Sequence, residues 1–468
     1  MKVLSLLLIV IIFIGCIVAC VSETGDKIDK SNSETTAPEI DELDIGRNIP
    51  DDLPQKNYNG RMFTIIISER VDFVDDIGTL FEETGDIVKD SVYSRNLTVE
   101  ERFNIKLEAD YVADPITKLR NTVLANEDVY DVILGGSITM GTSSLQGHYL
   151  DWYNDLPYIN LDKPWYIGNA RDALSIKNHS YLMIGEYDLS VLRFTYCMFF
   201  NKSIAERYQK NNIYEIVQTG KWTVDALHEM VKDVYEDVNG DGMMDENDLY
   251  GFTTDWHSST VTYQYCFNDP IIYLNNEGIP EMRTDITKTV AIVDKLYSLF
   301  FNNTGSYVGT WTVPIPIFEA NRALFLNLRF GSTSSFRNYE FDYGIIPYPK
   351  WDEAQPQYYT MSDGAHDVMA VPITINDPEF TSIIIEALNA ETYKQVIPAL
   401  YDTAFKVKYA RDEMATEMLD MILEGRFFDF GYIYDGWEGI AFLLDSVLSR
   451  KSSDYASAYA SREAGAIK

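Results

Sequence analysis

The stretch "YDVILGGSITMGTSS", residues 130–144, decides how this chain is read, because an apolar run stops at two glycines and a string of hydroxyl-bearing residues follows. A short apolar run bounded in this way reads as a buried strand. Working back from it, "RMFTIIIS" (61–68) is another β-branched run, and "DIVKDSVYSRNLTVEERFN" (86–104) carries apolar residues at helical spacing. "IKLEADYV" (105–112) returns to alternation, and "DPITKLRNTVLANEDV" (114–129) is helical again. Strand, helix, strand, helix, strand with short connections predicts a parallel sheet with right-handed crossovers. In such open sheets ligands gather beyond the carboxyl ends of the strands. "GGSITMGTSS" (135–144) is therefore expected as a ligand-facing loop, with a flexible connection as the other reading.

Working forward, "WTVDALHEMVKDVY" (222–235) places Val224, Leu227, Met230, Val231 and Val234 on one helical face, with Thr223 as N-cap. "ITKTVAIVDKLYSLFF" (286–301) and "IPIFEANRALFLNL" (315–328) are read as helices too. "EFDYGIIPYPKW" (340–351) and "HDVMAVPIT" (366–374) look like buried strands. Helices follow in "EFTSIIIEALNAETYKQVIPALY" (379–401), "RDEMATEMLDMILEGR" (411–426) and "WEGIAFLLDSVLS" (437–449), and no internal repeat is found. A body of about 400 residues is long for one core, so two α/β lobes are expected.

The 468 residues are 46% hydrophobic and carry 72 acidic against 38 basic side chains, a formal net charge of −34. Such a body repels phosphate backbones and anionic headgroups, which excludes nucleic acid and polybasic membrane contact. Divalent cations and neutral solutes remain as partners. The N-terminus, "MKVLSLLLIVIIFIGCIVAC", has one lysine and then an apolar run of secretory length. Its end, Ile17-Val18-Ala19-Cys20, resembles the lipobox of bacterial lipoproteins; Cys16 fits less well, with bulky Phe13 three residues before it. The resemblance implies a signal peptide over 1–19 and lipidation at Cys20, on the outer face of the cell membrane, with an uncleaved anchor helix and incidental cysteines as the other reading. Acyl chains such as palmitate supply about 0.8 kcal/mol per buried CH₂, so two or more hold a protein there. Residues 20–58, rich in Ser, Thr, Asp, Glu and Pro, are expected to be a disordered tether. Cys197 and Cys266 lie in apolar, aromatic runs and read as separate buried thiols, a disulfide being the alternative. Without CxxC or a His/Cys cluster, zinc and redox sites are not expected.

"DVNGDGMMDENDL" (237–249) follows the twelve-residue calcium pattern: Asp237, Asn239 and Asp241 at positions 1, 3 and 5, Gly242 at the sharp turn, Met243 at 7, Asp245 at 9 and Asp248 at 12. A strand, "LYGFTTD", follows, so the helix pair that a sensor opens is lacking. The expected cofactor is a structural calcium ion pinning helix to strand; an Asp/Gly-rich turn without metal is the other reading.

Several ordered segments resemble the extracellular solute-binding proteins of carbohydrate ABC transporters (family 1 type). They are "GKWTVDALHEMVKDVYEDVNGDGMMDENDLYGF" (220–252), "FFNKSIAER" (199–207), "FDYGIIPYPK" (341–350) and "KYARDEMATEMLDMILEGRFFDFGYIYD" (408–435). One departure is "FEANRALFL" (318–326), with Asn321 and Arg322 where many members carry Gly-Lys-Ala-Ala-Met. The resemblance implies an α/β, two-lobed, periplasmic-binding-protein-like fold of type II with a hinge and a helical C-terminal part. The expected division is 59–190 mainly for the N-terminal lobe, 191–360 mainly for the C-terminal lobe with the calcium loop, and 361–468 for the hinge return and terminal helices. The expected partners are a sugar or oligosaccharide, ABC permease subunits, and the membrane through the lipid anchor only, with the protein a monomer.

Sugars are held by aromatic faces and by carboxylates or amides. Four segments are expected to border the cleft: Gly136 and Ser137; Glu186, Tyr187 and Asp188; Asp255, Trp256 and His257; and Trp311 with Asp363 and His366. Trp256 and Asp363 lead this set, while Trp222 and Trp351 are assigned to packing and Trp437 to the helical C-terminal part. No G-x-S-x-G, H-E-x-x-H or P-loop is present, and no pair of carboxylates stands out from their abundance. The chain is therefore read as a binding protein and not an enzyme. The alternative is a surface receptor that senses solute or holds polysaccharide, ahead of a glycoside hydrolase.

Overall fold

The β-branched run Arg61–Ser68 forms an inner strand of a four-stranded sheet. The computed structural model describes residues 47–466 except 81, 333–335, 337–338, 407–412 and 436. The leader, Cys20 and residues 20–46 of the expected tether lie outside these. The helix Ile87–Phe103, capped by Asp86 accepting from the N–H groups of Val88 and Lys89, carries the chain to the parallel strand Ile105–Val112. The helix Pro115–Leu124 then leads to Val132–Gly136, which lies parallel on the other side of Arg61–Ser68. Both parallel pairings are those expected from the sequence. A fourth strand, Asp367–Ala370, joins Val132–Gly136 antiparallel, with Asp367 opposite Gly136.

A second sheet of six strands is ordered Tyr343–Ile346, Tyr196–Asn201, Ala323–Arg329, Leu249–Asp255 and Tyr235–Glu236, with Ser306–Gly309 also paired to Leu249–Asp255. The chain passes between the two lobes near Thr195 and Ser362, which form an antiparallel bridge. Nearby, Asp363 N–H donates to the Phe194 carbonyl at 2.9 Å. Thr360–Met361 pairs in parallel with Arg426–Phe427. The helices Pro378–Glu391, Ile397–Lys406, Glu413–Glu424, Leu443–Leu448 and Tyr455–Ala466 lie in the C-terminal part, and none of the described helices is long and apolar enough to cross a membrane. Cys197 and Cys266 are free and buried.

Four sequence expectations are corrected. "IPIFEANRALFLNL" is a short helix, Pro314–Glu319, and then the strand Ala323–Arg329, separated by a turn with Asn321 at φ 59°. Ala323–Asn327 is buried on both faces, and an apolar run of that kind carries no periodicity. "GGSITMGTSS" is not a loop: a helix, Ser137–Ser144, starts directly after Gly136. Gly141 is required there, because a Cβ would come within 2.0 Å of the Ile433 carbonyl oxygen on the helix Phe430–Tyr434. The helix capped by Thr223 ends at Val231, and Tyr235–Glu236 is a short strand facing Leu249 and Tyr250. The acidic loop therefore joins two antiparallel strands, not a helix to a strand. Finally, residues 47–58 of the expected tether dock on the N-terminal lobe. Asp51 pairs with Arg102, Lys56 with Glu379 at 2.8 Å, and Tyr58 N–H donates to the Phe103 carbonyl. Ile49 and Leu53 pack on the same core.

Candidate functional site

A cleft of about 660 Å³ opens beyond the carboxyl ends of the parallel strands. Ser68 ends the first strand and Arg70 follows it, Ala113 and Asp114 follow the second, and Gly135 and Gly136 end the third. The crossing segment contributes Asp363, Gly364 and Ala365, and the second lobe contributes His257 and Val261 just after Leu249–Asp255. Tyr432, Phe442 and Asp445 come from the C-terminal part. Aromatic rings, carboxylates, one guanidinium and backbone amides thus face one concave space. That composition suits a small polar solute with apolar faces.

Of the residues expected from the sequence, Gly136, His257 and Asp363 are brought together here. Asp363 lies at the crossing: its carboxylate accepts from Tyr196 O–H and faces Arg329 Nη2, each at 3.0 Å, and Ala365 N–H donates to it at 2.8 Å. It therefore ties a strand of the second sheet to the segment returning to the first. His257 holds a left-handed backbone, φ 76°, and its N–H donates to Asp445 at 2.8 Å. A non-glycine residue in that region stores strain, which gathers at ligand sites.

The other expected residues lie around the cleft or away from it. Ser137 is buried behind Gly136, with Oγ donating to the Gly364 carbonyl at 3.1 Å. His366 is buried beside it, with Nδ1 at 2.7 Å from the Asp363 carbonyl, and burial pushes its imidazole down to about 4. Asp255 ends its strand beside Ser259, and burial pushes its carboxyl up to about 6. Asp188 is buried, with its carboxyl raised to about 8 by burial and by Asp76 against hydrogen bonds from Ser190. Tyr187 is core: its ring lies under the Arg95 guanidinium at 4.7 Å, and its N–H donates to Asn389. Glu186 is half-buried beside it, its N–H donating to the Trp165 carbonyl.

Trp256 stacks on Phe301, ring centres 5.7 Å apart, so one face is taken up by packing, and it does not line the cleft. Trp311 is 67% exposed on the connection after Ser306–Gly309 and does not line the cleft. Trp222 and Trp351 pack as expected, Trp222 donating to the Pro347 carbonyl and Trp351 lying edge-on to Phe267. Trp437 packs on Phe430. Sequence reasoning missed Arg70, Phe73, Asp114, Asp367, Tyr432, Phe442 and Asp445. The strand-end rule applied to all three parallel strands, not one, finds Arg70 and Asp114. Nothing in the sequence points to the C-terminal three.

The acidic loop lies apart from the cleft. Its oxygens suit a hard cation, and Gly240 and Gly242 supply the left-handed turns. Asp237 accepts from the N–H groups of both, at 2.7 and 2.9 Å, Asp241 accepts from Met243, and Asp245 from Asn247. Asp248 is buried between Val238 N–H and Tyr235 O–H. Arg322, the departure noted in the sequence, donates to the Glu246 and Asp248 carbonyls at 2.7 and 3.3 Å. Among the described residues no three acidic, His or Cys side chains gather tightly enough to hold a metal. Thus the donor chemistry and turns fit calcium, while the carboxylates face the loop's own N–H groups.

No protein-family model matches the chain, and no curated protein matches it. Solved structures do. A family 1 extracellular solute-binding protein from Bifidobacterium longum subsp. infantis is 13% identical, with TM-score 0.55 over 87% of this chain and all (100%) of that one. An ABC substrate-binding protein from Listeria monocytogenes in complex with cycloalternan is 14% identical, with TM-score 0.54 over 86% and 97%. The maltose/maltodextrin-binding domain from Bdellovibrio bacteriovorus bound to maltotriose is 12% identical, with TM-score 0.53 over 87% and 100%. Structural neighbours of this chain are thus family 1 extracellular solute-binding proteins, and the fold is the mixed α/β, periplasmic-binding-protein-like one.

Proposed function

We propose that this protein is the solute-binding component of an ABC importer, lipid-anchored at Cys20, that captures a sugar or oligosaccharide in the interlobe cleft and hands it to the permease. The single observation that carries this reading is the cleft itself, lined by strand ends of the first sheet, by the crossing segment and by the second lobe. A solute there touches both lobes at once and so favours the closed arrangement by its differential affinity for it, which a permease can read. The sugar-bound neighbours from Listeria and Bdellovibrio support a carbohydrate ligand. In this reading Asp363, held by Arg329 and Tyr196, offers a fixed acceptor at the crossing, and Phe73, Tyr432 and Phe442 offer apolar faces. The protein binds and releases its solute unchanged.

Calcium enters the proposal as a structural ion held by Asp237, Asn239, Asp241, the Met243 carbonyl, Asp245 and Asp248. It would supply charge neutralisation for the hairpin loop and no chemistry at the cleft. The test is calorimetric titration of the purified chain with mono- and oligosaccharides, followed by analysis of the recovered sugar. Binding with intact sugar is the expected result. Hydrolysed sugar would make the protein an enzyme, and silence across all carbohydrates would remove the sugar from the reading.

A further inference from the structure

The wall of the cleft contains a carboxylate that the described protein groups leave unanswered. Asp367 opens the strand Asp367–Ala370 and lines the cleft, with only 1% of its surface exposed. Its N–H donates to Ser190 Oγ at 2.8 Å, but neither carboxylate oxygen has a hydrogen-bond partner. Burial, then Asp188 and Asp76, push this carboxyl well above the usual carboxylate range, against the pull of Arg70. Asp76 is answered by Arg193 at 2.5 Å. Asp188 accepts from Ser190 N–H at 2.9 Å through one oxygen and leaves the other unpaired.

The remaining lining acids are engaged. Asp363 faces Arg329, Asp445 accepts from His257, and Asp114 caps the helix Pro115–Leu124 through Thr117 N–H. Arg70 is the one guanidinium among the described lining residues, and its charge lies over Phe73 and Phe194 at 4.7 and 5.5 Å. A buried carboxylate without a partner is unfavourable until something brings it a donor or a positive charge. Among the described residues no three acidic, His or Cys side chains gather to hold a metal, whereas an ammonium group needs only one carboxylate. The formal charge of −34 also raises the local concentration of cations.

We propose that the cleft takes a solute bearing a protonated amine, such as an amino sugar or its oligomer, with Asp367 as the carboxylate that receives the ammonium group. This rests on the cleft being the solute site, and it names the solute class. A neutral hydroxyl can pair with Asp367 in the protonated form that burial beside Asp188 and Asp76 favours, but it brings no charge that would let the proton leave for solvent. An ammonium both donates and neutralises.

The experiment is calorimetric titration of the full chain in detergent with glucosamine and a fully deacetylated chitosan trimer, their N-acetyl counterparts, maltotriose, and spermidine. Free amino sugars are expected to bind at least about tenfold more tightly than the N-acetyl forms. Asp367→Asn should erase that preference, and Arg70→Ala, at an exposed side chain, should increase it. Because Asp367→Asn could misfold, the wild-type comparison and Arg70→Ala carry the test alone if it does. Equal or tighter binding of N-acetyl sugars or maltotriose overturns the amine proposal and leaves the sugar-receptor reading standing. Binding of spermidine with no sugar bound upholds the amine and overturns the sugar. Binding of nothing in the panel overturns both.

Discussion

Two groups of aspartates in this protein are built from the same side chain and carry opposite burdens. In the hairpin loop Asp237, Asp241 and Asp245 are at least partly exposed, and each accepts from N–H groups of the loop itself. Asp367 in the cleft wall and its neighbours Asp76 and Asp188, which do not line the cleft, are almost fully buried and crowd one another. The loop answers its charge with backbone dipoles and water; the cleft group answers its charge only in part. An acid next to its own turn N–H groups is stable at little cost, while acids assembled from distant segments persist where a ligand or a proton completes them.

The largest effect that separates the two groups is pH dependence. The Asp188 carboxyl is raised to about 8 in the folded protein from an ordinary value of 3.8. Across that window the unfolded chain has released protons that the folded chain retains, so stability falls as pH rises. Asp188 alone can contribute a slope of up to about 1.4 kcal/mol per pH unit there. Asp131, Glu386 and Asp429, raised by burial to about 6, 7 and 7, act in the same sense. Urea unfolding between pH 5 and 8 should show greater stability at the acid end, and Asp188→Asn should flatten the profile. A profile rising with pH would break the contrast.

Next in size is calcium. At a hundredfold excess over its Kd the ion should stabilise the protein by about 2.7 kcal/mol, read as a shift of the urea midpoint that a chelator reverses. No shift would leave the loop as a turn closed by its own hydrogen bonds. Asp237→Ala removes the acceptor for both Gly240 and Gly242. It should cost about 1 kcal/mol without calcium and abolish the calcium response. Smallest is Arg322→Ala, which frees the Glu246 and Asp248 carbonyls. About 0.5 kcal/mol is expected, with the calcium response retained. Loss of that response would make Arg322 part of the ion-competent loop.

Legibility followed locality. The strand–helix–strand–helix–strand order of residues 61–136 was readable because each element announces itself within ten to twenty residues and short connections force their order. The loop's spacing was readable for the same reason. Ala323–Arg329 was not, since a strand buried on both faces lacks the alternation that marks a strand. The helix after Gly136 was hidden by its hydroxyls and glycines, which favour turns in isolation; packing of Gly141 against Ile433 outweighs that preference. Trp256 shows the limit for sites: a tryptophan just after a strand end looks like a platform, and only the tertiary structure places one of its faces on Phe301 and the ring outside the cleft lining.

By itself the sequence determined the parallel α/β unit, the Asn- and Asp-rich turn chemistry, the burial of Cys197 and Cys266 and the strongly acidic charge, because these depend on neighbours along the chain or on composition. Only the tertiary structure decided which side chains share the cleft. Asp367 lies opposite Gly136 and shares the cleft with Arg70 because its strand returns antiparallel to Val132–Gly136, and Asp445 meets His257 because the C-terminal helices fold back. Those meetings span hundreds of residues and are set by the summed burial of two sheets, a quantity that no local pattern records.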